Sequence, residues 1–360
     1  MLKTTSPTTE ALGVTASAKQ DAKYDIAKFV LSLLVVAIHA SLYPTVLFPW
    51  LRIAVPLFFM ISSYFLFSKM REASADQHKS ILKKFVVRNL QLYLCWFVIL
   101  LPITLYIRKD IYFSHGWLQN VVTMLKSVLF GSTFAASWFL TAMVIGVLIV
   151  YLLNKVLKNN LLLLLVGLMF FTIVTLGSSY YDAVADTFFG TIIKVHITVF
   201  GALVCSFPAA VFWVVIGKLF AEQKIKMHSW LLWVVLMIGS AVALFVEWKY
   251  AVVRNGSYSM DSYFMLAPLC VLLFLGLTKI RPIYRERSVY VRRLSTVVYV
   301  VHASLMPIIS KLISVVFHVK IPLLSFLMAL VACVAVYMCL EFAVKKTQTK
   351  RINKIFKMMY

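Results

Sequence analysis

Two ionisable residues stand in an apolar stretch near the start of the sequence, at a spacing that suits chemistry inside a helix bundle. Lys28 and His39 are eleven residues apart. Because an α-helix rises 1.5 Å per residue and turns every 3.6 residues, both side chains project from nearly the same face, roughly 16 Å apart along the axis. His39 can take up a proton near neutral pH, as a general base does when a hydroxyl attacks an electrophilic carbon. The structural alternative is a hydrogen bond from His39 to a neighbouring helix.

Arg52 opens the next apolar stretch, only a short loop after His39. We therefore expect Arg52 to lie at a depth close to that of His39. A fixed guanidinium there can hold an anionic acceptor or stabilise a developing oxyanion. The alternative for Arg52 is interfacial anchoring, and Asp25 could pair with Lys28 for purely structural reasons.

A second histidine, His302, lies about eight residues into a later apolar stretch, with Tyr299 three residues earlier on the same helical face. Ionisable residues inside membrane spans are costly and so are candidates for function. Two such histidines favour a polar cavity in the bundle, while a structural hydrogen bond is the preferred interpretation of His302 itself.

The composition indicates what must position these residues. Hydrophobic residues make up 62% of the chain and charged residues 14%, against about 45–50% and about 25% in soluble domains. The apolar residues form blocks long enough to cross a bilayer core, which takes roughly 20 helical residues. The sequence predicts an all-α, polytopic transmembrane helix bundle of about ten spans: 26–43, 51–68, 85–107, 137–154, 160–177, 200–220, 229–246, 263–278, 294–316 and 321–344.

Two further segments have a weaker pattern. In 183–200 the apolar residues are interrupted by Lys194 and His196, which favours a re-entrant or interfacial piece. In 111–131 apolar residues recur at helical spacing with polar ones between them, as is typical of a helix lying in the interface.

The basic residues predict the orientation, because Lys and Arg accumulate in cytosolic loops. With ten spans, 26 of the 36 Lys and Arg fall on one side, together with both termini. We expect a disordered cytosolic tail over 1–24, a transmembrane domain over 25–344 and a basic cytosolic tail over 345–360. The net charge of +23 then indicates binding to anionic lipid headgroups rather than to nucleic acid.

Other kinds of site find no support in the sequence. The five cysteines lie in apolar blocks without C-x-x-C spacing, so we expect neither disulfides nor a metal. The phosphate-loop, dinucleotide-binding, nucleophile-elbow and zinc-protease motifs are absent. Any chemistry must therefore take place within the bundle.

From about residue 22 to 315 the chain resembles the acyltransferase-3 family of integral membrane acyltransferases. Four stretches carry the resemblance: Asp25, Lys28 and His39, similar to the family's first-span Asp, Arg and His; AVPLFFMISS at 54–63, similar to VPLFFxxSG; Trp138-Phe139-Leu140, similar to WFL; and Ser295, Tyr299 and His302, similar to a late S..Y..H span. The chain departs from the family pattern at Lys28, where Arg is usual, at Ser63, where Gly is frequent, and at Ala136, where many members have His.

The resemblance implies a multi-pass protein of the plasma membrane, expected to be bacterial, that O-acylates envelope glycans. The donor would be cytosolic acyl-CoA, usually acetyl-CoA, as co-substrate without a metal, and His39 would activate the acceptor hydroxyl. Lys28 would contact the CoA side together with Asp25, and Arg88 lies in a basic segment suited to CoA phosphates. Trp138, Tyr299 and His302 would line the pore, a passage between donor and acceptor.

Two other functions stay open. A related membrane domain occurs fused to vancomycin-resistance serine racemases, where it is associated with serine uptake, and the stretch 52–56 is similar there. Transport of a small polar solute would need the aligned polar residues but not the acyl chemistry. A catalytically inactive scaffold for polysaccharide assembly is the third possibility.

Overall fold

A computed structural model of the chain describes residues 21–42, 47–130, 133–134, 136–254, 260–283, 288–346, 356 and 358–360. Within these residues all regular structure is helical, and no strand occurs. The predicted all-α class is therefore confirmed. The expected tail lies outside the described residues over 1–20, and α1 already begins at Ala22, where the Asp21 side chain accepts a hydrogen bond from the backbone N–H of Lys23.

Each of the ten predicted spans corresponds to a helix. In chain order these are α1 Ala22–His39, α2 Ala54–Glu72, α3 His78–Ile107, α4 Trp138–Leu157, α5 Asn160–Leu176, α6 Pro208–Ala221, α7 Trp230–Arg254, α8 Leu266–Lys279, α9 Ser288–Phe317 and α10 Pro322–Lys346.

Six helical segments of the described chain are long and apolar enough to cross a bilayer: Phe48–Glu72, Ala75–Ile107, Trp138–Leu157, Trp230–Val253, Ser288–Phe317 and Pro322–Lys346. Helices α5, α6 and α8 are apolar but shorter. Helix α1 has enough residues but carries three charged side chains in its first two turns. The count of ten crossings, and the side on which the termini lie, stay predictions.

Helix α6 begins later than the sequence pattern predicted, at Pro208 instead of residue 200. Proline is favoured at the first position of a helix, because its missing N–H would have no partner there. The residues before it do not continue the preceding helix, since Gly201 has φ +90°, a conformation open mainly to glycine.

The two ambiguous segments are both helical, over Trp117–Phe130 and Phe188–Phe200. They contact each other through the rings of Phe130 and Phe200, whose centroids are 4.8 Å apart. Their depth in a bilayer stays a prediction.

The core is built around α6, in which all but one of the fourteen residues are buried. A helix that is apolar on every face belongs in the interior of a bundle. It packs against α2, α4 and α5, while α9 packs against α1 and α10. The two helices that carry the predicted histidines, α1 and α9, are thus direct neighbours.

The end of the chain folds back onto the bundle. The indole N–H of Trp96 in α3 donates to the carbonyl of Met359 over 3.0 Å. Tyr360 lies against Arg293 of α9, with the guanidinium carbon 5.1 Å from the ring centroid. These last residues of the predicted tail are therefore docked; residues 347–355 lie outside the described part.

Candidate active site

A cavity of about 320 Å³ lies where α1 ends, α2 begins and the segment before α8 approaches them. We call it the His39 cavity. Its polar wall consists of His39, Arg52, Asp261, Ser262 and Tyr299, and its aromatic wall of Trp138, Phe171 and Trp213. Cys205, two prolines and aliphatic side chains from several helices and connecting segments complete it.

His39 is the last residue of α1 and is exposed to the cavity. The chain turns away at once, because Ser41 adopts a left-handed conformation with φ +54°. Because one side of the His39 ring faces the cavity, the imidazole can exchange protons with a bound molecule.

Arg52 stands between the short helix Phe48–Leu51 and α2, on the same cavity as His39. Its guanidinium forms an ion pair with Asp261 and stacks on the Phe48 ring, 4.2 Å from the centroid. The Arg52 Nε atom is buried and has no hydrogen-bond partner within the described residues. The structure thus brings Arg52 beside His39, as the short loop between the spans predicted.

Asp261 was not predicted as a site residue. It lies in the segment between α7 and α8, where Ser178 Oγ accepts hydrogen bonds from the backbone N–H groups of Asp261 (3.1 Å) and Ser262 (3.2 Å). The hydroxyl of Ser262 is in turn 2.9 Å from that of Thr175. An isolated aspartate in a connecting segment carries no periodic signal, so only its ion pair with Arg52 reveals it.

Trp138 and Tyr299, two of the predicted pore-lining residues, do line the His39 cavity. Tyr299 is held by the aromatic side chains of Phe58 and Phe139, with ring centroids 5.3 and 5.2 Å from its own. The third, His302, lies elsewhere. It is fully buried behind His39, with the two imidazole centroids 5.1 Å apart, and it is not part of the cavity wall.

The other predicted residues meet at the far end of α1. Asp25 is fully buried, hydrogen-bonds Ser288 and lies near the cations of Lys28 and Arg292. Lys28 lies near both Arg88 and Arg292. Lys28, Arg88 and Arg292, with the carboxylate of Asp25, form what we call the cationic cluster. Arg292 was not among the residues predicted for the site.

Packed side chains along α1 separate the His39 cavity from the cationic cluster. The His39 cavity extends down α1 as far as Val35. Between Val35 and Lys28 the side chains of Leu31 and Ser32 are buried in packing. The expected hollow pore is therefore closed over this stretch.

The geometry offers a base, His39, beside a cation, Arg52, in a pocket with aromatic walls. It also offers three cations gathered at the opposite end of the same helix. No group of three or more His, Cys, Asp or Glu within the described residues could hold a metal ion. The arrangement suits removal of a proton from a bound molecule beside a fixed positive charge.

Comparisons with known proteins agree with this chemistry in outline. The profile of the acyltransferase domain of the acyltransferase-3 family matches residues 21–341. No solved structure matches the chain.

The chain is also similar to curated racemases. It is 24% identical to an "Amino-acid racemase" of Enterococcus faecalis over 339 residues, which is 85% of this chain and 44% of that protein. It is 27% identical to a "Serine/alanine racemase" of Enterococcus gallinarum over 130 residues, 34% of this chain and 18% of that one. The chain thus spans less than half the length of these relatives.

The acyltransferase match runs from the start of α1 almost to the end of α10, and so takes in the His39 cavity, the cationic cluster and every helix that builds them. The chain belongs to the acyltransferase-3 family of multi-pass membrane acyltransferases.

Proposed function

We propose that the protein transfers an acyl group, most simply acetyl, from cytosolic acyl-CoA to a hydroxyl of an envelope polysaccharide or exopolysaccharide. The observation that carries the proposal is the position of His39, exposed in a cavity beside Arg52 within the acyltransferase match. The protein would act in the plasma membrane.

His39 is the base in this proposal. The acceptor hydroxyl gives its proton to the imidazole while its oxygen attacks the thioester carbonyl. The carbon–sulfur bond then breaks, the ester forms, and the CoA thiolate leaves with the proton that His39 gives up, which restores the neutral base. A positioned general base of this kind contributes about 10²–10⁴-fold to the rate.

Arg52 would stabilise the negative oxygen of the tetrahedral intermediate. Its guanidinium is fixed by Asp261 on one side and by Phe48 on the other. A donor that is already fixed costs no reorganisation when charge develops, which is why such groups contribute strongly to catalysis.

The acceptor would lie against Trp138 and Trp213. Aromatic faces beside polar side chains are suited to sugar rings, which present apolar C–H faces and hydroxyl edges. The cavity volume of about 320 Å³ accommodates the end of a glycan chain and not a folded polymer.

The donor would be held by the cationic cluster. Lys28, Arg88 and Arg292 can pair with the phosphates of CoA, and charge-assisted hydrogen bonds to phosphate are among the stronger ones in proteins. The pantetheine arm would then have to pass Leu31 and Ser32 to reach His39, so we expect donor binding to rearrange this part of the bundle.

The test is acyl transfer in proteoliposomes that hold the purified protein, radiolabelled acetyl-CoA and the host's surface polysaccharide. His39→Ala should abolish labelling of the glycan while the protein stays folded and inserted. The matched control is His228→Ala, because His228 is an exposed histidine outside the cavity. Glycan labelling that survives in the His39 variant would refute the mechanism.

Transport of a small polar solute is the second candidate, and two observations favour it. The racemase relatives are named for amino-acid substrates. The ion pair of Arg52 and Asp261 on the cavity wall could also open to hold the two charges of a zwitterion. Uptake of labelled serine into proteoliposomes without acetyl-CoA would support transport, and its absence alongside glycan labelling would exclude it.

A further inference from the structure

His302 has a defined orientation that the proposed function does not yet use. Its Nδ1 atom lies 2.8 Å from the carbonyl oxygen of Val298. Since a carbonyl can only accept, Nδ1 carries a proton and donates it. In a neutral imidazole the other nitrogen, Nε2, then has a free lone pair and can only accept.

That second nitrogen is left without a partner. Nε2 of His302 is fully buried and makes no hydrogen bond within the described residues. Buried polar atoms in native proteins nearly always have a partner, and an exception calls for an explanation.

The neighbouring polar side chain is His39, with its ring centroid 5.1 Å from that of His302. No hydrogen bond joins the two rings as they stand, and a small rotation of the exposed His39 ring, or one bridging water, would let a nitrogen of each ring share a proton. The planes are tilted by 57°, so the rings are not stacked face to face.

We propose that His302 is a positioning residue that fixes the tautomer of His39. The lone pair of His302 Nε2 accepts the N–H of one His39 nitrogen, which leaves the lone pair of the other nitrogen directed to the cavity. The carbonyl of Val298 thus fixes the tautomer of His302, and His302 fixes that of His39. The His39 nitrogen that faces the acceptor hydroxyl is therefore unprotonated and can act as a base. This inference rests on the proposed function only for the use of that lone pair.

The pairing also has a role after the proton moves. When His39 takes the hydroxyl proton it becomes a cation that donates from both nitrogens. His302 Nε2 then accepts from a charged donor, and such hydrogen bonds are shorter and stronger than neutral ones. The interaction is thus stronger after proton transfer than before it, which is what stabilises a transition state.

The first measurement needs no acyl acceptor. Protein with ¹⁵N-labelled histidine in lipid nanodiscs is compared by NMR with its His39→Asn variant, so that the difference spectrum contains the His39 nitrogens. We expect one protonated and one unprotonated nitrogen, in a single tautomer. In His302→Leu we expect both tautomers of His39, whereas His302→Gln, whose side-chain oxygen can accept, should keep one.

The matched control is Ser304→Ala, which removes another buried polar atom of α9 that has no partner within the described residues. The His39 signals should stay unchanged in it. A mixture of His39 tautomers in the unmodified protein, or identical His39 signals in His302→Leu, would overturn the pairing.

Acyl transfer gives the second readout. His302→Leu should lower kcat by about 10²-fold with KM for the acceptor nearly unchanged, and His302→Gln should recover about tenfold of that loss. If no variant transfers an acyl group while the tautomer change is seen, the proposed function fails and the pairing stands. If kcat in His302→Leu is unchanged, the pairing has no catalytic role and the inference is wrong.

Discussion

Arg52 and Asp261 form an ion pair between two segments that are far apart in sequence, and this pair stands directly beside His39. The Arg52 and Asp261 charges act on the His39 ring in opposite directions. Arg52 opposes a positive charge on the imidazole and Asp261 favours it. Both charges therefore influence how readily His39 accepts a proton.

Replacing Asp261 with Asn should therefore weaken the base. The cation of Arg52 would no longer be compensated, so proton uptake by His39 becomes less favourable, and we expect kcat to fall about tenfold or more. Steady-state acyl transfer measures this. The control is Asp186→Asn, an exposed carboxylate whose loss should leave kcat unchanged.

The double variant Arg52→Gln, Asp261→Asn separates this effect from a loss of folding. Removing both charges restores neutrality around His39, so the double variant should lose less activity than the product of the two single losses. Residues in direct contact are expected to show such coupling. Strict additivity would mean that the pair does not act on His39.

The cationic cluster should act on donor affinity and not on the chemical step. Arg292→Ala and Arg88→Ala should each raise KM for acetyl-CoA about tenfold, by loss of a charge-assisted contact to phosphate, with kcat little changed. Lys28→Arg should lower KM, because a guanidinium can hold phosphate through two parallel hydrogen bonds.

A donor that lacks the 3′-phosphate is the matched probe for this prediction. With acetyl-dephospho-CoA, the difference between the unmodified protein and an arginine variant should shrink if that arginine contacts the 3′-phosphate. An unchanged difference would place the contact at the pyrophosphate, and equal KM values with acetyl-CoA itself would exclude the cluster from donor binding.

The helices could be predicted from the sequence because apolar blocks and helical spacing are local properties. The convergence of His39 and Arg52 could also be predicted, because a short loop limits how far two residues can separate. Asp261 and Arg292 could not. Each is brought to its site by packing of distant helices, and nothing in the neighbouring sequence distinguishes Arg292 from Arg293, which pairs with Glu341 at 2.9 Å instead.

The sequence also could not predict which of two neighbouring residues of α9, Tyr299 or His302, lines the cavity. The spacing of His302 from Tyr299 correctly placed both residues on one side of α9, yet only Tyr299 reaches the cavity. Which of two residues on one face meets a cavity depends on how deeply each is covered by the neighbouring helix. Here the His39 side chain of α1 lies between His302 and the cavity.

A partly buried ion pair at the end of α6, which does not line the His39 cavity, bears on the stability of the fold. Lys218 of α6 is 2% exposed. Its ammonium donates to Glu222 Oε1 over 2.6 Å and to Asn160 Oδ1 over 2.9 Å, while Asn160 donates to Glu222 over 3.0 Å. Glu222→Ala would leave the buried ammonium without its counter-charge, at a cost of about 3–5 kcal/mol.

The variant Lys218→Met, Glu222→Ala tests this account, because removing both charges leaves no uncompensated ion. Its thermal midpoint in detergent should lie above that of Glu222→Ala alone. Lys224→Met, which removes an exposed lysine nearby, should change the midpoint little. A double variant less stable than Glu222→Ala would show that the uncompensated Lys218 charge is not what destabilises the single variant.

Close packing of α2 against α6 depends on a glycine opposite a serine. A Cβ atom at Gly217 would overlap Ser63 Oγ and lie 2.7 Å from the carbonyl oxygen of Met60. Ser63 cannot turn away without cost, since its hydroxyl donates to the Phe59 carbonyl over 2.8 Å. Gly217→Ala should therefore separate the helices and lower stability by about 1–3 kcal/mol, as overpacking of a core does.

Gly239→Ala in α7 is the control, because a Cβ there would meet nothing within 4 Å. Alanine is about 1 kcal/mol better than glycine in a helix interior, so this variant should be as stable as the unmodified protein or more so. Adding Ser63→Gly to Gly217→Ala removes the nearer of the two clashes and should restore part of the lost thermal midpoint. If Gly217→Ala alone matched Gly239→Ala in stability, the close approach of α2 and α6 would not be a determinant of the fold.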